Sequence, residues 1–418
     1  MLLVPVDATR TVFQVPVTIV GVTVLALVSS VHHRRRIFGV VPMPLIVGYS
    51  ATVITCSLWM IDGVKNIGAF ANFASLILAG LCFTSTRRIA SSSPFWYQTA
   101  TSATLFALSI VVTSVVVSRH TSIDLHQIIG IKEFEITQRA GEVRYTGFTS
   151  HPIVAALLCG CALIMWLQAA ARQPRMLRRS AALTMSCVSG YAVIVTRSRG
   201  PLLVMILLGF IALAQLRPQT LRSRRAKHGV LALSVIFTVF WGPSAWNSAI
   251  ASSDSTSKLA DQQSLEYRIA LPRAAFISAL DHWALGSGPG RSPDHSLPVT
   301  ISGNVTDYSR TIDNELLLVL YEYGWIGFIS SSLVYLFIVK RWLASERRLG
   351  SSGNRWAVPF YITLSGLFVA LSSWSPVMSF FGGAIGLALS SGQGRRSSAP
   401  PLAASHSAAE FGFDALPC

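Results

Sequence analysis

Charge is the first thing this sequence has little of. Only 12% of its 418 residues are charged, about half the roughly 25% carried by a soluble globular chain, so a water-facing surface of this size cannot be covered. Cysteine is sparse as well. Cys56, Cys82, Cys159, Cys161 and Cys187 fall inside apolar stretches and Cys418 is the last residue, which excludes a disulfide framework and any zinc-like spacing. Cys159 and Cys161, two apart, point to different faces of a helix and read as packing residues. The chain also has no Walker lysine loop, no Asp-x-Asp pair to hold a metal-bound nucleotide sugar and no His-Glu-x-x-His. Gly286-Ser-Gly-Pro-Gly290 lacks dinucleotide spacing and reads as a turn. No metal site and no cofactor is expected. Residues 1–10 are too short and too poor in basic groups for a signal peptide.

Long apolar runs are what the sequence has instead: 51% of residues are hydrophobic. Runs of about 18 residues or more suffice to cross a bilayer core of about 30 Å as helices, whereas barrel strands would show short alternating segments. The expected fold is all-α, a polytopic membrane bundle of about eleven helices. Their spans are roughly 11–31, 37–61, 67–86, 98–118, 150–170, 181–196, 201–216, 229–246, 316–339, 357–374 and 376–391. No internal repeat is seen, which counts against transporter folds built from paired halves.

The net charge of +16 invites a nucleic-acid partner until its distribution is read. Alternate linkers and the tail hold twenty-one Lys and Arg, in Arg34–Arg36, Arg87–Arg88, Arg172 to Arg179, Arg217 to Lys227, Lys340 to Arg355 and Arg395–Arg396. Against them stand only Glu346, Glu410 and Asp414. The other linkers are slightly acidic. Retention of basic loops on the cytoplasmic side explains this alternation, together with attraction to anionic lipid, so no nucleic acid is required. The expected topology places the N-terminus outside and the C-terminus inside. The odd helix count points to a further helix upstream, for twelve. Residues 1–391 form one membrane domain, with a large outer loop at 247–313, and the Ser-, Ala- and Pro-rich 392–418 reads as a disordered cytoplasmic tail.

Four features fall on the outer side. Arg144 lies in Val143-Arg-Tyr-Thr-Gly-Phe-Thr-Ser-His151-Pro152; Arg197 and Arg199 lie in Thr196-Arg-Ser-Arg-Gly200. Arg268 lies in Glu266-Tyr-Arg-Ile-Ala-Leu-Pro-Arg273, and Asp313 and Asn314 in Thr311-Ile-Asp-Asn-Glu315, ahead of Gly324-Trp-Ile-Gly327. Arginine offers phosphate a planar fork that stays charged, though an outer arginine also serves by snorkelling to lipid phosphate. Two arginines in one tight turn, where basic residues are otherwise few, favour phosphate. Asp313 suits a general base and equally a helix N-cap. Glu322, in an apolar run among Tyr321, Tyr323 and Trp325, is a functional candidate by its depth. At about 100° per residue it faces away from Asp313 and shares a face with Glu315. In the long loop, Leu265, Ile269, Phe276, Leu280 and Trp283 have helical spacing broken at Pro272, which predicts one or two amphipathic helices on the membrane surface.

With these motifs in this order, the chain resembles the O-antigen ligase/polymerase family over about Arg144 to Phe328. The ligases of that family carry His-Asn, His-Ser or His-Gln where Asp313-Asn314 stands, and aspartate is closer to the polymerases. The resemblance implies a bacterial plasma-membrane glycosyltransferase of about twelve helices, active on the extracytoplasmic face without metal. Its substrate would be an undecaprenyl-diphosphate-linked oligosaccharide in the lipid bilayer, and its partners a chain-length regulator or other polysaccharide-assembly proteins. In the implied inverting reaction, Arg144, Arg197, Arg199 and Arg268 hold the diphosphate while Asp313, with Asn314 and Glu322, handles the acceptor. A ligase that moves finished glycan to a lipid or protein is the near alternative, and a transporter or flippase of lipid-linked glycan the distant one.

Overall fold

The computed structural model describes residues 41–61, 67–121, 138–139, 142–149, 151–216, 270–289, 297–301, 304–307, 312, 314–346, 355–368, 371 and 375–390. Within them the chain is mostly helical. The helices are α1 (Met43–Ile61), α2 (Ile67–Ser92), α3 (Pro94–Thr121), α4 (Pro152–Arg172), α5 (Met176–Val195) and α6 (Arg199–Leu216), followed by α7 over 270–281, α8 (Glu315–Glu346), α9 (Ala357–Ser365) and α10 (Ser375–Ser390). Among the described residues, α3, α4 and α8 are long and apolar enough to cross a membrane. The expected spans at 11–31 and 229–246, and the tail 392–418, lie outside the described residues.

The helical class stands, and two short antiparallel ribbons accompany the helices. Gln138–Arg139 (β1) pairs with Glu142–Val143 (β2), and Pro298–Ile301 (β3) pairs with Asn304–Asp307 (β4) in the register Pro298↔Asp307. One expected span is corrected at 357–374, where α9 stops at Ser365 and the chain turns through Phe368. Hydropathy continues past Ser365, but the carbonyls of Gly366 and Leu367 are needed elsewhere: they accept from the Glu315 N–H at 2.8 Å and from Asn314 Nδ2 at 2.8 Å. A break is not seen at Pro272: residues 270–281 are helical.

The core is built around α4. Its residues Val154 to Ala162 are all buried, and most are Ala, Cys or Gly, small enough for neighbouring helices to come close without a gap. Leu108, Val111, Val112 and Val115 of α3 pack there, with Ala192 and Val193 of α5 and Phe360 to Ile362 of α9. Trp342 of α8 stacks on Phe360 with centroids 4.0 Å apart. Along α10, Gly386 lies so near α2 that a Cβ on it would stand 2.6 Å from the Phe83 carbonyl oxygen. Large apolar side chains such as Phe106, Ile194 and Leu336 point outward, as lipid-facing residues do. Thr52 and Ser57 of α1 each donate to the carbonyl four residues back, which spares the hydrocarbon an unpaired donor there.

One helix is broken. At Gly324, φ 62 and ψ −160 interrupt α8, and the turn after α7 supplies the missing partners. The N–H groups of Trp325, Ser287 and Gly288 donate to the carbonyls of Trp283, Tyr321 and Glu322 at 2.9, 2.9 and 3.0 Å. Gly286 crosses so closely that a Cβ on it would meet the Gly324 nitrogen at 2.5 Å. With φ 71 at Gly286 as well, both positions need glycine. The turn after α7 is thereby stitched into α8.

Candidate functional site

The site begins with a turn. Residues 146–149 close on the Thr149 N–H to Thr146 carbonyl bond at 3.1 Å, with Gly147 at φ 60. Phe148 N–H donates to Ser114 Oγ of α3 at 3.1 Å, and a Cβ on Gly147 would stand 2.7 Å from the Val115 nitrogen. The Thr-Gly-Phe-Thr turn is therefore a wedge seated on α3, and it fixes the preceding Arg144 and Tyr145. From the end of α3, Arg119 Nη1 donates to the Tyr145 hydroxyl at 2.8 Å, and His120 Nε2 lies 3.2 Å from the Tyr191 hydroxyl of α5.

Arg144 reaches across to the turn between α5 and α6, where its Nη2 donates to Ser198 Oγ at 3.0 Å and its Nε to the Thr196 carbonyl at 3.5 Å. The arginines at 144, 197 and 199 thus stand around one small structure. That turn is strained: Arg197 has φ 53, and it is the lone non-glycine residue among those described with positive φ. Its N–H donates to the Ile194 carbonyl at 2.9 Å, at the left-handed position past a helix end that glycine usually fills. An arginine held there costs roughly 1 kcal/mol and projects an exposed guanidinium. Strain of this kind is retained where a side chain serves a purpose. Arg199 is half-buried at the start of α6, where the helix N-terminus adds positive potential for an anion.

Asn314 joins from the other side. Its Oδ1 accepts the Leu317 N–H at 3.1 Å, so the N-cap of α8 is Asn314, the role that spacing offered to Asp313. With its Nδ2 on the Leu367 carbonyl, both ends of the amide are engaged. The next residue, Phe368, lies against Gly200, with no room for a Cβ between them, since one would stand 2.6 Å from Phe368 Cβ. One continuous path therefore runs from Arg144 through Ser198 and Gly200 to Phe368, Leu367 and Asn314. Asp313 and Arg268 lie outside the described residues. Glu322 is buried and its backbone is tied to the 287–288 turn, off this path. Glu315 is buried too and lines a largely apolar cavity of about 510 Å³ between α1, α2, α8 and α10, with Tyr49, Tyr323 and Tyr335.

Spacing did not single out His151 or Arg119. His151 is the N-cap of α4, its Nδ1 accepting the Ile153 N–H at 3.2 Å. Burial, and then the positive charge of Arg144, push its pKa down to about 4, so at neutral pH it adds no charge beside the arginines. The His151-Pro152 pair was a readable N-cap and first-turn signal; Arg119 carried no signal beyond being basic on the sparser side. Among the described residues no group of three or more His, Cys, Asp and Glu gathers as metal ligands.

Against known families, the O-antigen ligase model matches residues 181–332. This segment is similar to O-antigen ligases. No curated protein matches the chain. The O-antigen ligase segment takes in α5, the Arg197–Arg199 turn, α7 and the first half of α8. It implies a membrane enzyme of glycosyl transfer in surface-polysaccharide biosynthesis. Arg144 precedes the matched segment and enters the site only through the fold.

Proposed function

We propose that the protein polymerises polysaccharide repeat units from an undecaprenyl-diphosphate carrier at the extracytoplasmic face of a bacterial plasma membrane. The observation that carries this reading is the hydrogen bond of Arg144 into the Arg197–Arg199 turn. It collects three permanent positive charges at one end of the bundle. Chemically, an acceptor-sugar hydroxyl attacks the anomeric carbon from the side opposite the phosphate. The new C–O bond forms as the bond to the diphosphate oxygen breaks, with inversion. The hydroxyl proton goes to Asp313, next to the anchored Asn314, and the charge growing on the leaving diphosphate is met by arginines fixed in advance. Arg268 is assigned to the same anion. Because the donor is itself a diphosphate, the transfer needs no ATP.

The apolar cavity that Glu315 lines supports a lipid carrier, since it offers a polyprenyl chain a place beside the outer ends of α8 and α9. Purified protein given a lipid-diphosphate oligosaccharide should lengthen it and release undecaprenyl diphosphate; no lengthening by folded protein would overturn the reading. The ligase alternative is favoured by the description of the matched family. A deletion strain distinguishes the two, because losing a polymerase removes long chains, whereas losing a ligase leaves long chains unattached to their acceptor.

A further inference from the structure

At the opposite end of α4 lies a second cavity that glycosyl transfer does not use. A 21-residue helix is about 31 Å long, so Arg172 at its end is a bilayer's thickness from His151. There a pocket of about 190 Å³ opens between α2, α3, α4, α10 and the start of α9. Its floor is apolar, made by Met165, Val358, Phe380 and Leu387, and Thr101 and Thr104 give it hydroxyls. Arg172 and Arg355 are its charged residues, and no carboxylate lines it among the described residues. The Arg355 guanidinium stands 5.5 Å over the Tyr97 ring, an aromatic contact that holds the cation toward the opening. Arg87, Arg88, Arg175, Arg178 and Arg179 belong to the same basic side.

An apolar cleft with positive charge and, among the described residues, no negative charge fits a molecule with one anionic phosphate and hydrocarbon tails. We infer that this pocket binds the headgroup phosphate of an anionic phospholipid between Arg172 and Arg355, its acyl chains running along the apolar floor. Basic pockets between transmembrane helices on the cytoplasmic side recognise such headgroups. The inference does not depend on glycosyl transfer, which takes place at the other end of α4.

Native mass spectrometry of the purified full chain, titrated with phosphatidylglycerol or with phosphatidylcholine, tests it. Phosphatidylglycerol should be retained preferentially, and Arg172→Ala with Arg355→Ala should weaken retention roughly thirtyfold, as expected for two basic groups at a lipid surface. Arg178→Ala with Arg179→Ala, outside the pocket, should leave it unchanged. Should the double variant not purify, Gly383→Leu replaces it: a Cβ there meets its nearest neighbour, Thr86 Oγ1, at 3.5 Å, so a larger side chain grows into the pocket and should expel the lipid. Equal retention of phosphatidylcholine, unchanged retention in these variants, or displacement of phosphatidylglycerol by inorganic phosphate would each overturn the inference.

Discussion

The two ends of α4 carry arginines in opposite circumstances. At the His151 end, Arg144 is pinned by Ser198 and Thr196, and Arg197 is held in a strained backbone. At the Arg172 end, the arginines flank an apolar pocket, one of them resting on an aromatic ring. Both sets are positively charged, so charge alone cannot separate them. The difference lies in preorganisation. A catalytic site gains by fixing its donors before charge develops, whereas a lipid-facing arginine gains by keeping a loose, solvated head.

The sharpest way to break this contrast is to remove charge from each end. Asp313→Asn and Arg199→Ala should each abolish long-chain polysaccharide while the protein remains membrane-inserted, and Arg172→Ala should leave chain length near normal. A gel of surface polysaccharide beside a membrane-fraction blot reads all three; normal chains in the first two sink the catalytic reading. Next in size is Gly324→Ala. Positive φ and the close crossing with Gly286 leave a side chain no room, and we expect a loss of about 3 kcal/mol or more in stability, seen as a fall in the unfolding midpoint. Arg144→Lys keeps the charge but loses the fork that meets Thr196 and Ser198. Turnover should drop by about a hundredfold with little change in stability, and equal turnover would show that only charge matters.

Two smaller effects sharpen the contrast. His151 is neutral in the fold with its pKa near 4, below the ordinary value of about 6.5, so the unfolded chain takes up the proton first. Stability should be highest above about pH 6.5 and fall as pH drops toward 4. His151→Asn, which keeps a cap acceptor, should flatten that part of the profile in a thermal-shift series. Arg197→Gly relieves the left-handed backbone and should raise stability by roughly 1 kcal/mol while lowering turnover. If activity were unchanged, Arg197 would be no more than a tolerated strain.

The helices were legible in advance because hydropathy is read one residue at a time. The expected spans that fall on described residues coincide with helices except at 357–374, where α9 ends at Ser365, and α2 and α8 run on to Ser92 and Glu346, since backbone hydrogen bonding continues past the end of an apolar run. The Arg197–Arg199 turn was also legible, as two charges where charge is scarce. Its strain was not, because a φ angle leaves no mark in composition. The anchoring of Asn314 at both ends of its amide was not legible, because it depends on the packing of α9 against α8.

By itself the sequence determined that this chain lives in a membrane, where its helices run and which linkers are basic, because apolar length and charge are properties of contiguous segments. The meeting of Arg144 with Ser198, of Gly200 with Phe368, and of Gly324 with Gly286 was decided by tertiary structure alone. Those pairs are separated by 38 to 168 positions, and only the close approach of helices packed through small residues brings them within hydrogen-bonding or van der Waals reach.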